Sequence, residues 1–311
     1  MMKQKITFHI GFEKTGTRSF QQFCAKNAKI LQKYSVFYPL HSLAFGEQNH
    51  APLVACYLDY EDLSIRSSGQ SRLTVLRSLL TEIGEAESSN ILISAEHFSS
   101  RFREREIHQL AADFSDFDCR IAMVVREHRA RFFSAYDQSV RSGRDITLEA
   151  YCDEIFHPGH PYLRYAATIG GWEQAFGREN ISLFGYAPEH DIVPVLCEAL
   201  ISPKLALQFG QSRWENRSIG PEATEWLRRV NGMIGRIPGT RNVTVRRALA
   251  APRRGFVKLA RKLNRDAPRW QLSERDARRL DEIAAADREW LRTRYGIQLP
   301  SSDQDANLSR A

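Results

Sequence analysis

A short loop near the start of the chain combines residue types that bind phosphate groups. Gly11 and Gly16 frame it, and Lys14, Thr15 and Thr17 lie between or beside them in the stretch GFEKTGTRSFQQ. Glycine lets the backbone approach an anion closely, threonine hydroxyl groups donate hydrogen bonds, and lysine supplies a positive charge. The lysine precedes the second glycine, whereas the common ATP- and GTP-binding loop places its lysine after the last glycine. The stretch therefore predicts an anion site of an uncommon kind.

A second set of anion-binding residue types follows the apolar run CRIAMVV. Arg126 comes directly after this run, and Ser134 stands eight residues later. A guanidinium fork and a hydroxyl group suit one phosphate, and the end of a buried strand is where open α/β sheets bind ligands. The alternative for the first loop is a structural turn with a solvated lysine. The alternative for the second set is an Arg126 paired with a carboxylate and a Ser134 that only packs.

Strand and helix patterns place both sets of residues at the ends of strands. Apolar and β-branched runs predict strands at 6–10, 90–96, 119–125 and 181–186. Apolar residues at helical spacing predict helices at 17–34, 71–87, 102–117, 130–141, 147–156, 162–176, 192–201, 221–234 and 273–296. Thr15 or Thr17 is expected to cap the first helix. The alternation predicts a three-layer α/β/α fold with a central parallel sheet and a helical C-terminal part.

Composition indicates a globular chain that folds without disulfides. The 311 residues are 42% hydrophobic and 26% charged, which suits a single domain over 1–300 with a disordered tail at 301–311. Five scattered cysteines form no C-x-x-C pair, which predicts reduced, buried thiols in a cytoplasmic protein. No metal site is expected. The apolar runs are too short for a signal peptide or a membrane span.

Together the two motifs resemble those of sulfotransferases that use 3'-phosphoadenosine 5'-phosphosulfate (PAPS). GFEKTGTRSFQQ is similar to the family's 5'-phosphosulfate loop, in which the lysine precedes the glycine. REHRARFFSAY is similar to its 3'-phosphate motif, R-x-P-x-x-R-x-x-S-x-Y. Arg126, Arg131, Ser134 and Tyr136 match that motif, and His128 replaces its proline. Further segments similar to bacterial members are 162–186, 216–231 and 287–299.

The resemblance implies a P-loop-like sulfotransferase fold and transfer of the sulfuryl group of PAPS to a hydroxyl or an amine. Lys14 is expected to stabilise the charge on the departing adenosine 3',5'-bisphosphate. The residues implied in binding PAPS are Gly11, Lys14, Thr15, Gly16, Thr17, Arg18 and Ser19 at its 5' end, Arg126 and Ser134 at its 3'-phosphate, and Asn216, Arg217 and Ser218 as a cover. Arg18 stands where the family commonly has a second threonine or serine, which adds a charge near the anion.

The resemblance also implies a general base after the strand that contains ILISA. Glu96 is the first candidate and His97 the second, and only one of them is expected to face the site because adjacent strand residues point to opposite sides. His9 is expected to support the geometry of the loop. A carbohydrate hydroxyl, on a polysaccharide or glycolipid, is the preferred acceptor, with small molecules still open.

The segment 236–270 carries an excess of positive charge. It holds eleven basic residues and one acidic residue, Asp266, whereas the whole chain has a net charge of +7. Arginines alternate with apolar residues at 244–265, which predicts contact with an anionic membrane or a polyanionic acceptor rather than with nucleic acid. Two other functions stay open. One is a nucleotide kinase, against which the lysine order argues, and the other is a PAPS-binding partner protein without turnover.

Overall fold

A computed structural model describes residues 3–43, 48–60, 70–186, 191–206, 219–236, 255–260 and 270–300. The strands in these ranges are β1 (Lys5–His9), β2 (Val36–Phe37), β3 (Asn90–Ser94), β4 (Asp118–Arg126) and β5 (Ile181–Tyr186). The helices are α1 (Thr17–Lys26), α2 (Ala28–Gln32), α3 (Ala51–Ala55), α4 (Arg72–Gly84), α5 (His97–Arg101), α6 (Glu104–Asp113), α7 (His128–Arg141), α8 (Leu148–Ile155), α9 (Tyr165–Phe176), α10 (Ile192–Leu200), α11 (Pro203–Ala206), α12 (Pro221–Gly235), α13 (255–260) and α14 (Glu274–Tyr295).

The strands form one parallel sheet with β1 at its centre. The strand order is β2-β3-β1-β4-β5, and Phe8 of β1 is in register with Ile93 of β3 and Ile121 of β4. The chain first builds the sheet on one side of β1, through β2 and β3, and then on the other side through β4 and β5. In open α/β sheets such a switch point creates a crevice at the carboxyl ends of the strands, where ligands bind.

Helices cover both faces of the sheet and give the predicted three-layer α/β/α fold. Alternate residues of a buried strand point to opposite faces. Ile6 and Phe8 pack on one face in a core that includes residues of α3, α4, α5, α6 and α9. Leu92 and Val124 pack on the other face with Phe20 of α1 and with residues of α2 and α10. The apolar runs of the central strands therefore reflect burial on both sides.

The chain divides into two compact units. Unit 1 comprises Met1–Arg126, Arg164–Ser212 and Asp287–Leu299, and it contains the sheet. Unit 2 comprises Glu127–Leu163, Arg213–Ala286 and Pro300–Ala311. Its described core is helical and packs Phe132 of α7 with Tyr151 of α8 and Leu227 of α12. The single domain expected over 1–300 stays a prediction.

Most predicted elements are confirmed to within four residues at each end. The single helix predicted at 17–34 is wrong, because the chain leaves the helical region at Asn27, whose side-chain Nδ2 donates to the Phe23 carbonyl. The threonine cap is also wrong, since Gly16 precedes the first residue of α1 and no side chain caps that helix. The short elements β2, α3, α5 and α11 escape prediction because they contain too few residues to show a period.

The five cysteines are free thiols, and the burial predicted for all five holds for three of them. Cys24, Cys152 and Cys197 are buried, and Cys56 and Cys119 are half-buried. Burial raises the pKa of Cys152 and of Cys197 to about 12, so the reactive thiolate form is suppressed at neutral pH. These side chains act as small apolar residues.

Several expected features lie outside the described residues. These are Asn216, Arg217, Ser218, the tail 301–311, and the basic segment 236–270 except for residues 236, 255–260 and 270. The contact predicted for 244–265 therefore stays a prediction. Within the described ranges, no helix combines the length and the apolar character needed to cross a membrane.

Candidate anion-binding site

The loop between β1 and α1 has a left-handed backbone at two positions. Lys14 has a φ of 71° and Gly16 a φ of 81°, and α1 begins at the next residue, Thr17. Turns that contain left-handed residues direct neighbouring amide groups toward one side of the chain, which forms a concave anion site. The first turn of α1 adds its own amide groups and the positive end of the helix dipole. The backbone of this loop therefore favours an anion.

Side-chain hydroxyl groups bind carbonyl oxygens of the loop. Ser99 Oγ, on α5, shares its hydrogen between the Gly11 carbonyl at 3.1 Å and the Glu96 carbonyl at 2.9 Å, and Thr15 Oγ1 donates to the Phe12 carbonyl. A trans peptide directs its N–H opposite to its C=O. Each carbonyl that is bound in this way therefore directs the N–H of the same peptide to the opposite side. The bound carbonyl oxygens of the loop point away from the side that the N–H groups offer to an anion.

Arg126, at the carboxyl end of β4, binds the same loop from the neighbouring strand. Its Nη1 donates to the Lys14 carbonyl at 2.8 Å, and its guanidinium carbon lies 5.0 Å from the centre of the Tyr186 ring on β5. Tyr165 Oη accepts from the Arg126 amide at 3.2 Å and donates to the Arg126 carbonyl at 2.7 Å, which fixes the end of the strand. The buried Nε of Arg126 has no hydrogen-bond partner among the described residues.

Glu96 and His97 stand at the start of a helix rather than in a strand. β3 ends at Ser94, and Glu96 has helical angles, φ −65° and ψ −22°. The strand alternation assumed for these two residues is therefore wrong, and the expectation that only one of them faces the site stays a prediction. Gln21 Nε2, on α1, donates to Glu96 Oε2 at 2.8 Å. His97 Nδ1 is buried and meets no hydrogen-bond partner in the described part of the chain.

Two buried histidines flank Ser94 behind the loop. His9 Nδ1 lies 2.8 Å from Ser94 Oγ, and the Ser94 amide donates to His50 Nδ1 at 3.0 Å. Because the Nδ1 of His50 accepts, its Nε2 carries the proton and donates to the Pro39 carbonyl at 3.0 Å. Burial lowers the pKa of His9 to about 3 and that of His50 to about 4. Both rings are therefore neutral near pH 7.

The remaining residues of the second motif lie in unit 2. Ser134 is half-buried on α7. Arg131 is buried, donates to the Tyr162 carbonyl, and places its guanidinium carbon 4.1 Å from the Tyr162 ring centre. Tyr136 Oη donates to the Ile146 carbonyl at 3.2 Å. Arg131 and Tyr136 therefore stabilise unit 2, and the phosphate contact of Ser134 stays a prediction.

The other predicted loop residues differ in their surroundings. Arg18 is exposed on the first turn of α1, and the Ser19 amide donates to the Gly16 carbonyl at 3.0 Å. Within the described chain, no group of three or more histidine, cysteine, aspartate or glutamate side chains is placed to hold a metal ion.

Four contributors to the site have no signal of their own in the sequence: Gln21, Ser94, Ser99 and Tyr186. Each is a common residue type at an unremarked position of a helix or strand. They matter because the parallel sheet brings the ends of β1, β3, β4 and β5 to one edge. Ser99 and Arg126 follow predicted strands, whereas Gln21 lies on a helix and Ser94 and Tyr186 lie within strands.

At this edge of the sheet, the helix that follows the loop binds a carboxylate, that of Glu96, through Gln21. Lys14 lies in the loop that precedes α1, and Glu96, whose carboxylate accepts from Gln21 of that helix, lies at the start of α5. Such a pairing suits transfer of a charged group to a nucleophile, because one part stabilises the leaving group and the other removes a proton.

A solved structure similar to this chain is that of a sulfotransferase from Alicyclobacillus acidocaldarius. The two chains share 15% identity, the match covers 81% of this chain and 94% of that chain, and the TM-score is 0.45. No protein-family model and no curated protein matches the chain.

Proposed function

We propose that this protein is a sulfotransferase that moves the sulfuryl group of PAPS to a hydroxyl or an amine of an acceptor. The main support for the proposal is the loop between β1 and α1, in which side chains bind the carbonyl oxygens of Gly11, Phe12 and Lys14. This arrangement leaves the loop suited to an anion. The early lysine within it is the feature shared with the sulfotransferase motif that the sequence resembles.

The residues at this edge of the sheet fit the charged groups of PAPS. The loop and the first turn of α1 suit the 5' end. Arg126 suits the 3'-phosphate, because its buried Nε lacks a partner among the described residues and a guanidinium can donate to two oxygens. ATP has no phosphate at this position, so Arg126 is the residue that distinguishes the two nucleotides. Ser134 is assigned to the same phosphate from the sequence motif alone.

The reaction exchanges one bond to sulfur for another. PAPS supplies an activated sulfuryl group, whose bond to the 5'-phosphate oxygen breaks with its electron pair left on that oxygen, while the acceptor atom forms the new bond. Lys14 and the loop amides stabilise the charge on the departing oxygen. Glu96 takes the acceptor's proton, and Gln21 holds one oxygen of that carboxylate. His97 is the second candidate for this role.

The acceptor class rests on the resemblance to bacterial sulfotransferases. We propose a carbohydrate hydroxyl, carried by a polysaccharide or glycolipid, with a small-molecule acceptor as the alternative. The basic segment 244–265 is proposed to contact an anionic membrane or such an acceptor. Sedimentation with anionic liposomes tests the membrane contact, and unchanged sedimentation of a chain that lacks residues 240–266 rejects it. A cytoplasmic location stays a prediction.

Calorimetric titration with adenosine 3',5'-bisphosphate, AMP and ATP tests the nucleotide. We expect the bisphosphate to bind best and Arg126→Ala to weaken its binding at least about tenfold, since charge-assisted hydrogen bonds are lost. The matched control is Arg120→Ala, which removes an arginine from the opposite end of β4, where it pairs with Asp118 at 3.2 Å. This control should bind like the wild type.

Three results would redirect the assignment. Equal binding of ATP together with magnesium-dependent ATP turnover would indicate a nucleotide kinase. Bisphosphate binding without sulfuryl transfer to a broad set of hydroxyl and amine acceptors would indicate a PAPS-binding protein without turnover. No binding of any nucleotide would reject the role of the loop as a PAPS site.

A further inference from the structure

His9 is a fully buried polar side chain directly behind the anion loop. It is the last residue of β1, its ring packs edge-on against Phe20 of α1, and its Nδ1 lies 2.8 Å from the hydroxyl of Ser94 on the paired position of β3. Its other ring nitrogen, Nε2, is buried and has no hydrogen-bond partner among the described residues. A buried polar atom without a partner costs free energy, so its position calls for an explanation.

The surroundings of Ser94 decide which nitrogen of His9 carries the proton. A buried hydroxyl needs an acceptor for its hydrogen, and within the described chain His9 Nδ1 is the acceptor in reach of Ser94 Oγ. Ser94 therefore donates to Nδ1. Because burial keeps His9 neutral, the ring has a single N–H, and that hydrogen is on Nε2.

His9 Nε2 lies beside the base of the loop. A methyl group placed on Gly11 would lie 3.1 Å from His9 Nε2 and 2.7 Å from Thr17 Oγ1, so both atoms border the same small space beside Gly11. Thr17 Oγ1 in turn lies 3.3 Å from Thr15 Oγ1, whose hydrogen is donated to the Phe12 carbonyl. Ser94 thus donates to one side of the His9 ring, and the ring presents its own N–H on the side of the Thr17 and Thr15 hydroxyl groups.

We infer that His9 is a positioning residue for the anion loop: Ser94 fixes it as the Nε2–H tautomer, and this N–H orients the Thr17 hydroxyl across the space beside Gly11 without a direct hydrogen bond. Thr17 is the first residue of α1, so its orientation sets that of the amide groups that face the anion. Gly11 is required because any side chain there fills the space. The inference rests on the proposed function only in taking the loop as an anion site.

Two substitutions of His9 test the roles of its two ring nitrogens separately. Glutamine places its amide nitrogen near the position of Nε2, and asparagine places its amide near Nδ1. We expect His9→Gln to bind adenosine 3',5'-bisphosphate within about threefold of the wild type and His9→Asn to bind it at least about tenfold more weakly. Gly11→Ala should weaken binding like His9→Asn. His108→Gln and His108→Asn, at an exposed position of α6, are the matched controls.

Nuclear magnetic resonance of the nucleotide-free protein tests His9 independently of function. Nitrogen shifts of labelled histidine report the tautomer, and the amide signals of residues 15–18 report the loop. We expect an Nε2–H tautomer in the wild type, and loop shifts that change in His9→Asn far more than in His9→Gln.

An Nδ1–H tautomer, or equal loop shifts in the two variants, would overturn the inference about His9. Equal binding by the two variants would do the same. Failure of the wild type to bind the bisphosphate would instead reject the proposed function, and the loop shifts would still decide whether His9 orients Thr17.

Discussion

The contacts of Glu96 bear on its proposed role as the general base. It immediately precedes α5, that helix binds the loop through Ser99, and Gln21 holds one carboxylate oxygen at 2.8 Å. The bound oxygen fixes the orientation of the carboxylate, which leaves the other oxygen to accept a proton. Position and orientation are the two requirements that a base must meet before its pKa matters.

Glu96→Gln should therefore separate binding from catalysis. The amide keeps the size of the side chain but cannot take a proton, so we expect adenosine 3',5'-bisphosphate to bind normally while sulfuryl transfer falls about 100-fold or more. Transfer from PAPS is measured with any acceptor that the wild type sulfates. Glu104→Gln, at an exposed position of α6, is the control. Full transfer activity in Glu96→Gln would move the role to His97.

At the scale of elements, the junction between β1 and α1 depends on a glycine that has two reasons to be there. Gly16 has a φ of 81°, a conformation that costs other residues about 1–2 kcal/mol. A methyl group on Gly16 would also lie 2.6 Å from Cγ2 of Ile192, at the start of α10. The loop and α10 are therefore packed too closely for any side chain at this position.

Gly16→Ala should lower the free energy of unfolding by at least about 2 kcal/mol, because strain and overlap add. Gly84→Ala is the matched control, since nothing lies within 4 Å of a methyl group there and the residue is in helix α4. The control should be neutral or more stable by up to about 1 kcal/mol. Urea unfolding of both variants gives the comparison, and a Gly16→Ala protein as stable as the control would contradict the packing described.

At the scale of the whole molecule, two buried neutral histidines make stability depend on pH. The folded-state pKa values of His9 and His50 are about 3 and about 4, below the ordinary histidine value of 6.5. As the pH falls below 6.5, the unfolded chain binds protons at both positions and the folded chain does not. Stability from these two groups is therefore fully present above pH 6.5 and is lost progressively as the pH falls toward 4.

The free energy of unfolding should decrease between pH 6.5 and pH 5 with a slope that approaches about 1.4 kcal/mol per pH unit for each buried histidine. Urea unfolding at half-unit steps of pH measures this slope. His50→Gln should lower the slope by the contribution of one histidine, and His108→Gln, which changes an exposed residue, should leave the slope unchanged. A flat profile across this range would show that the two rings are charged or solvated in the folded protein.

Patterns over short stretches of sequence predict the elements whose formation depends on neighbouring residues. The run ISLFGY is observed as β5 without any change of bounds, and Ser71 and Ser273 accept hydrogen bonds from first-turn amide groups of α4 and α14. The break at Asn27 was not predictable in this way, because its side chain competes with the backbone only in the folded arrangement of that turn. The helical start at Glu96 was missed because α5 is one turn long.

The sequence by itself determined the order of the main strands and helices, and it predicts an anion site in the loop at Gly11–Thr17, because both follow from periodicity and residue type over short stretches. Only the tertiary structure decided which side chains hold that loop. Ser99 is 88 residues from Gly11, and Arg126 is 112 residues from Lys14. Parallel strands joined by helical crossovers bring such distant strand ends to one edge of the sheet, and no local pattern records which polar residues meet there.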